Sequence, residues 1–318
     1  VKPFTVDNDY QFLFSKGGAV RKILILIKGF LGRLTTIFVL HRFDFVFIHR
    51  EVAPIGPPVF EWLIAKVFGK KIIYDFDDAI WLTDRSDESW LTKKLRGRNK
   101  ISAICKLSYK VSAGNQYLCE YALKYNSQAV VNPTTIDTSK ISEAKRNQKN
   151  EVVIGWTGSH STLKYLKGIE SVLQTLERDY SNVRFLFIAD QQPDLSLNRI
   201  SFKYWKLETE NEDLSEIDIG IMPLPDNEWT RGKCGFKILQ YMALSIPAVA
   251  SPVGVNSEII KNEENGFVCE TKTEWLHALR RLIEDISLRK KFGVLGQQLV
   301  AKNYSTSSNS SNFMALFR

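Results

Sequence analysis

The chain has 318 residues, 44% hydrophobic and 25% charged, with a formal net charge of +8; this is ordinary globular composition at a length that suits two domains. Its longest strictly aliphatic run, Ile23–Ile27, falls far short of the roughly 20 residues a spanning helix needs, which argues against a bilayer crossing. Four cysteines, Cys105, Cys119, Cys234 and Cys269, lie too far apart for metal-ligand spacing and are too few to staple the chain, so they read as reduced thiols of a cytoplasmic protein.

No basic-then-apolar leader with a small-residue cleavage site opens the sequence, and a start at Val1 reads as a chain that has lost its true beginning. The charge is one-sided. Residues 1–134 hold 20 Lys and Arg against 12 Asp and Glu, and the remainder holds 23 of each. A basic field of this kind either faces an anionic partner (a membrane surface, a phosphorylated substrate, nucleic acid) or merely keeps that face soluble.

In chain order, the first segment with a pattern is KGGAVRKILILIKGFLGRLTTIFVLHR, which sets an apolar face beside Lys16, Arg21, Lys22, Lys28, Arg33 and Arg42. Two readings stand: a core-facing helix, or a helix lying in an anionic lipid surface. FDFVFIHRE and KKIIYDFDDAIW are apolar strands that end in polar clusters, with PPVFEWLIAKVFG as the helix between them. The first strand ends in His49, Arg50 and Glu51 before a Pro-rich turn, a setting for acceptor recognition; Glu51 equally suits an ion pair with Arg50 or a nearby Lys.

The second strand ends in Asp75, Asp77 and Asp78. Three carboxylates so close repel one another, and one must titrate high unless a cation or donor pairs with it. KVSAGN, QYLCEYALKYN and AVVNPT follow as strand, helix and strand.

A break at Asn132–Pro133 and the polar stretch SEAKRNQKNE divide the chain into residues 1–134 and 135–318. Regular alternation then begins. EVVIGWTG is a strand entering a Gly turn, STLKYLKGIESVLQTLER an amphipathic helix, VRFLFIAD and IDIGIMPL strands, FKILQYMALS a helix, and IPAVAS and GFVCE strands. TEWLHALRRLIED and ISLRKKFGVLGQQLVAKNY close the chain as helices, and Ser305–Asn312 is expected to be weakly ordered. Strand-helix alternation at this spacing predicts an α/β fold of two parallel open sheets, with ligands at the carboxyl ends of the strands and a cleft between the sheets as the default site.

GKCGFKILQYMALSIPAVASPVG, Gly232 to Gly254, has a chemical reading of its own. Glycines before Phe236 let the backbone approach a ligand, the start of the helix offers unpaired N–H groups, and Arg231, Lys233 and Lys237 add charge. A diphosphate suits such a place. A capped helix with solvated lysines is the plainer alternative.

The order EVVIGWTGSHSTLKYL, DIGIMPLPDNEW and GKCGFKILQYMALSIPAVASPVGVNSEIIKNEENGFVCE resembles the nucleotide-sugar-binding half of family 4 glycosyltransferases, over roughly residues 150–305. VVNPTTID and VSAGNQYLCEYALKY are similar to that family's hinge and the segment before it. The resemblance implies a GT-B fold, two Rossmann-like domains facing across a cleft, with residues 1–134 binding the acceptor and residues 135–318 the donor. It also implies transfer from a nucleoside-diphosphate sugar to a hydroxyl with retention at the anomeric carbon, no obligate metal and no cofactor beyond the donor. The pathway it points to is cell-surface polysaccharide or lipid-linked glycan synthesis, by a cytoplasmic enzyme resting on the inner face of the plasma membrane.

Position by position, the resemblance gives Cys234, Gly235 and Phe236 the amides that meet the diphosphate, and Gln240 the place of a ribose-binding glutamate. Gly232 stands where a sugar-binding glutamate is usual, so Asp226, Glu228 or Lys233 would have to take that contact. The first loop carries Gly158, Ser159, His160 and Thr162 in place of the usual Arg and Lys, with Lys237 as the substitute charge; Glu258 matches an acidic wall residue, and Asp77 the site of a His near the reacting sugar, which implies that Asp77 or Asp78 orients or deprotonates the acceptor hydroxyl. The first strand and Gly-rich loop of the family are not found before Tyr10, which implies a truncated or remodelled first domain. Two further functions are open: a metal-dependent phosphotransferase or phosphatase built on Asp75, Asp77 and Asp78, and a basic nucleic-acid-binding module, for which no recognition motif is present.

Overall fold

The computed structural model describes residues 2–6, 9, 12–13, 17–82, 99–141 and 151–318. Lys16 and most of the expected linker, residues 142–150, lie outside them. The chain forms two compact units, Val1–Asn132 with Met314–Arg318, and Pro133–Phe313.

The first unit runs α1 (Ala19–Ile37), β1 (Phe45–His49), α2 (Val59–Trp62), β2 (Lys71–Phe76), α3 (Lys100–Leu107), β3 (Lys110–Ala113), α4 (Gln116–Leu123) and β4 (Ala129–Val131). The four strands are parallel in the order β1-β2-β3-β4. In β2, Ile72, Ile73, Tyr74 and Phe76 are all fully buried, as expected of a strand covered on both faces. Past β2, the Trp81 ring stacks on Tyr121 of α4 at 3.6 Å and holds the strand-end loop against that helix. The chain's last residues also pack in this unit: Phe317 meets Phe45 edge-on, and Lys110 Nζ donates to the Ala315 carbonyl at 2.7 Å.

Of the two readings of α1, neither is complete. Ile25, Gly29 and Ile37 are buried, and the Phe4 ring occupies the space beside Gly29 that a side chain there would take. Val20, Leu24, Ile27, Leu31, Leu34 and Phe38 are exposed. Their alternating four- and three-residue spacing puts them on one stripe.

The second unit runs β5 (Val152–Gly158), α5 (His160–Leu163), α6 (Glu170–Asp179), β6 (Val183–Ala189), β7 (Ile200–Tyr204), α7 (Glu210–Ser215), β8 (Ile219–Met222), α8 (Glu228–Arg231), α9 (Phe236–Ala243), β9 (Ala248–Ala250), α10 (Asn256–Ile259), β10 (Gly266–Val268), α11 (Lys272–Glu284) and α12 (Ile286–Leu299). Its six strands are parallel in the order β10-β9-β8-β5-β6-β7. Trp156, Phe185, Phe187, Trp275 and Phe292 fill one apolar cluster, and Ile238, Tyr241, Met242 and Ile259 belong to another. Each such side chain contributes roughly 1.5–3 kcal/mol by leaving water.

Three sequence expectations are corrected here. The single helix expected over residues 161–178 is α5, a 3₁₀ stretch Lys164–Ile169, and α6. β7 and α8 fall where loops were expected. The Ser/Asn-rich segment is a hydrogen-bonded knot rather than a weak tail: Ser305 and Asn309 are buried, Asn309 Nδ2 donates to the Asn303 carbonyl at 2.7 Å, and Ser305 bridges Ile136.

Candidate active site

In the second unit β5 pairs with β6 from Val152↔Val183 to Gly158↔Ala189, but with β8 only at Ile154↔Ile219 and Gly155↔Gly220. Beyond Gly155 the two strands part. The chain leaves β5 toward β6 and β7 and returns to β8 on the other side, so this is the point where strand order reverses, and open α/β sheets take ligands outside such a point.

The parting is held by Tyr241 of α9. Its hydroxyl accepts from the Thr157 amide at 3.1 Å and reaches toward the Ile221 carbonyl at 3.4 Å. Its ring occupies the space a side chain on Gly220 would need. Burial raises the phenol far above its ordinary value, so it stays a neutral donor. One helix is thereby tied to the ends of both strands.

The start of that helix lies beside the end of β5. A side chain on Gly158 would collide with Trp156 and with Cε of Lys237, and the Lys237 ammonium sits 5.6 Å from the Trp156 ring centroid. Gly235 precedes α9 in the left-handed region at φ 69°, where a Cβ would come within 2.5 Å of Ile259; both demands select glycine. The N-cap residue of α9 is Gly235, which has no side chain to cap it, and no acid occupies the helix's first turn, so its leading N–H groups and positive dipole end suit an anion.

The loop ahead of α9 is braced. Asn227 and Thr230 form a capping box, and the Leu224 amide donates to Ser251 Oγ at 2.9 Å. Arg231 clasps Asp226 with two bonds, 2.7 and 3.0 Å, and holds that carboxyl below its ordinary range. Arg231 and Asp226, offered in sequence as phosphate and sugar contacts, are therefore engaged with each other. Lys233 lies over the Trp229 ring at 4.9 Å. Cys234 is buried with its thiol toward the Gly232 carbonyl, while Phe236 is exposed.

Gln240 lies one turn into α9 and is only 7% exposed. Glu258 is exposed in the first turn of α10. On the loop after β5, Ser159 Oγ meets Ser161 Oγ at 2.8 Å, and Thr162 Oγ1 donates to the Ser159 carbonyl at 3.0 Å.

His160 has a partner that sequence reasoning missed. Asp190, just past β6, accepts from the His160 amide at 2.5 Å and pairs with its Nδ1 at 2.6 Å. An ionised carboxylate only accepts, so the ring proton sits on Nδ1 and Nε2 is left for other contacts. The polar ending of VRFLFIAD was its only sequence signal. Also missed was Asn256, wholly buried in α10: Nδ2 donates to the Ser251 carbonyl at 3.1 Å, and Oδ1 has no hydrogen-bond partner among the described residues. That oxygen lies 3.7 Å from the place a Gly235 Cβ would occupy.

The first unit has its own strand-end cluster. The register sets His49 of β1 opposite Asp75 of β2, with Nδ1 2.7 Å from Asp75 Oδ2. Asp75 Oδ1 accepts from Ser112 Oγ at 2.6 Å. Arg50 follows at φ 62°; its Nε and Nη2 donate to Asp77 Oδ1 at 3.0 and 2.8 Å, and Nη2 reaches Asp78 Oδ2 at 3.1 Å. The repulsion expected among the three carboxylates is thus met by two donors from the neighbouring strand end, the His49 ring and the Arg50 guanidinium. The hydrogen bond that His49 donates to Asp75 raises the His49 pKa against partial burial, Asp77 adds to the rise and Arg50 opposes it.

Glu51 takes the ion-pair alternative, 3.6 Å from the ammonium of Lys100, which is buried and also donates to the Ala53 carbonyl. Among the described residues, no three His, Cys, Asp or Glu side chains converge as a metal ion would require.

Residues 151–285 match the family described as "Glycosyl transferases group 1". Sucrose-phosphate synthase from Thermosynechococcus elongatus is similar in structure, with a TM-score of 0.70 at 15% identity over 92% of this chain and 77% of that one. Anabaena HepE in complex with UDP-glucose gives 0.68 at 14% over 96% and 90%. A glycosyltransferase from Rickettsia africae gives 0.66 at 16% over 90% and 80%. The fold is GT-B, with two Rossmann-like parallel-sheet units, as the sequence resemblance implies.

Proposed function

We propose that the protein transfers a sugar from a nucleoside-diphosphate sugar to an acceptor hydroxyl. The observation that carries this reading is the uncapped, lysine-flanked start of α9 beside the split between β5 and β8. The match of residues 151–285 and the likeness to a fold relative holding UDP-glucose support it.

In this reading the amides of Cys234, Gly235 and Phe236, with the ammonium groups of Lys233 and Lys237, hold the diphosphate. Gly158, Ser159 and His160 form the facing loop, Gln240 meets the ribose and Glu258 lines the wall. Fixed N–H groups and two lysines supply the positive charge that a departing diphosphate needs, which fits catalysis without an obligate metal. The resemblance supports a hexosyl donor, retention at the anomeric carbon, and an acceptor handled by Asp77 and Asp78 of the first unit. Glu51, bound to Lys100, fits support of that unit rather than chemistry.

The exposed apolar stripe of α1 beside Arg21 and Lys28 supports work at an anionic lipid surface, as in building a lipid-linked glycan or cell-surface polysaccharide from the cytoplasmic side. No described helix is long and apolar enough to cross a membrane.

Thermal shift with UDP-, GDP-, ADP- and dTDP-sugars tests the donor site. A ligand at about a hundredfold its Kd stabilises by about 2.7 kcal/mol. One of the four should raise Tm by several degrees, and Lys237→Ala should erase the rise. An equal response from the variant refutes the phosphate assignment.

A further inference from the structure

His49 Nε2 and Asp77 Oδ1 are 3.9 Å apart. That is too long for a direct hydrogen bond, yet an oxygen at an ordinary distance of about 2.8 Å from each would bridge them. Both groups are held from behind. His49 Nδ1 is fixed on Asp75, Asp75 on Ser112, and Ser112 Oγ accepts from Asn132 Nδ2 at 3.3 Å. Asp77 is gripped twice by Arg50, whose own amide donates to the Asp75 carbonyl at 2.7 Å. The open side is wet: the His49 and Asp77 side chains are 50% and 41% exposed.

We propose that His49 is an acceptor-positioning residue: a sugar or polyol hydroxyl sits between its Nε2 and Asp77 Oδ1, accepting a hydrogen bond from the ring and donating one to the carboxylate. That this hydroxyl is the nucleophile rests on the transfer reading above; the binding place itself does not. The two bonds leave the oxygen's second lone pair free. A hydroxyl has one proton, so it satisfies both neighbours only when Nε2 carries a hydrogen; opposite a bare Nε2, ring and carboxylate would compete for that proton.

Protonation therefore favours the bridge. Asp75 and Asp77 favour the charged ring and Arg50 opposes it, with a net rise in the His49 pKa. The bridge is present below that raised value and is lost as pH rises through it. His49→Gln retains an amide N–H near the same place without titrating, so it should bind the hydroxyl with a flat pH profile.

The experiment is UDP release from UDP-glucose with glycerol as the hydroxyl probe, across pH. In the parent, the KM for glycerol should climb as His49 deprotonates; in His49→Gln it should stay level, and in His49→Phe it should be raised roughly tenfold, the worth of one hydrogen bond. UDP-glucose thermal shifts should be equal in all three. A parent-like pH profile in His49→Gln, or an unchanged glycerol KM in His49→Phe, overturns the proposal. A parent with neither a thermal shift nor turnover marks failure of the UDP-glucose reading instead. Glycerol-soaked crystals then decide: an oxygen within about 3 Å of both atoms sustains the bridge, and direct closure of Nε2 onto Asp77, or a gap without it, refutes the bridge.

Discussion

Tyr241 shows what one hydroxyl does in this fold. Replacing it with Phe keeps the ring on Gly220 but leaves the buried Thr157 amide without its acceptor, at a cost of about 1–3 kcal/mol. Denaturant unfolding of Tyr241→Phe should show that loss, and a variant as stable as the parent would deny the hydroxyl its bracing role. Much at this scale was legible in the sequence. Gly235 and Lys237 stood out by type and spacing, and so did the carboxylates after β2. What the sequence withheld was partnership across the sheet. The register that sets His49 opposite Asp75, and the left-handed backbone that carries Arg50 to Asp77 and Asp78, bring together residues 26 to 28 positions apart. Asn256 belongs to no local pattern, and Asp190 showed only as the polar end of VRFLFIAD, 30 positions from its partner His160.

At the level of elements, legibility followed apolar continuity. β2, β6 and α9 are mostly apolar, and most of their apolar residues are buried. β7 was missed because it is an edge strand whose residues are at best half-buried, so ISFKY mixes polar and apolar types without a run. The 305–312 segment deceived in the opposite sense: Ser and Asn, usually satisfied by water, satisfy one another and the backbone. α1 is the element whose partner is chemical rather than structural in the present reading. Vesicles of phosphatidylglycerol should sediment the protein, with retention falling at high salt, and phosphatidylcholine vesicles should do so weakly. Leu24→Glu with Leu31→Glu removes two exposed apolar anchors worth about 1.5–3 kcal/mol each when buried, so binding should drop at least tenfold. Undiminished binding by that variant would remove the helix from the lipid contact.

Across the whole molecule, the four cysteines report on both units. All four are buried and none forms a disulfide, Cys105 and Cys119 in the first unit, Cys234 and Cys269 in the second. Burial pushes the Cys105 and Cys269 thiols up to about 12 and also raises Cys119. Thiolate, the reactive form, is therefore scarce near neutral pH. A disulfide reagent should label the native protein slowly and the denatured chain at all four positions. Rapid native labelling at Cys105 or Cys269, read by mass spectrometry, would contradict the packing around them. The charge asymmetry belongs to this scale too, because the basic excess of residues 1–134 accompanies the unit that carries α1.

The parting of β5 from β8 has one last consequence. A phenol wedged there keeps two neighbouring strands from zipping shut, so a guest arriving outside them breaks no ladder and melts no turn. In the proposed reading, recognition in this half of the protein is thus paid in advance during folding, and a nucleotide would meet a socket already cast.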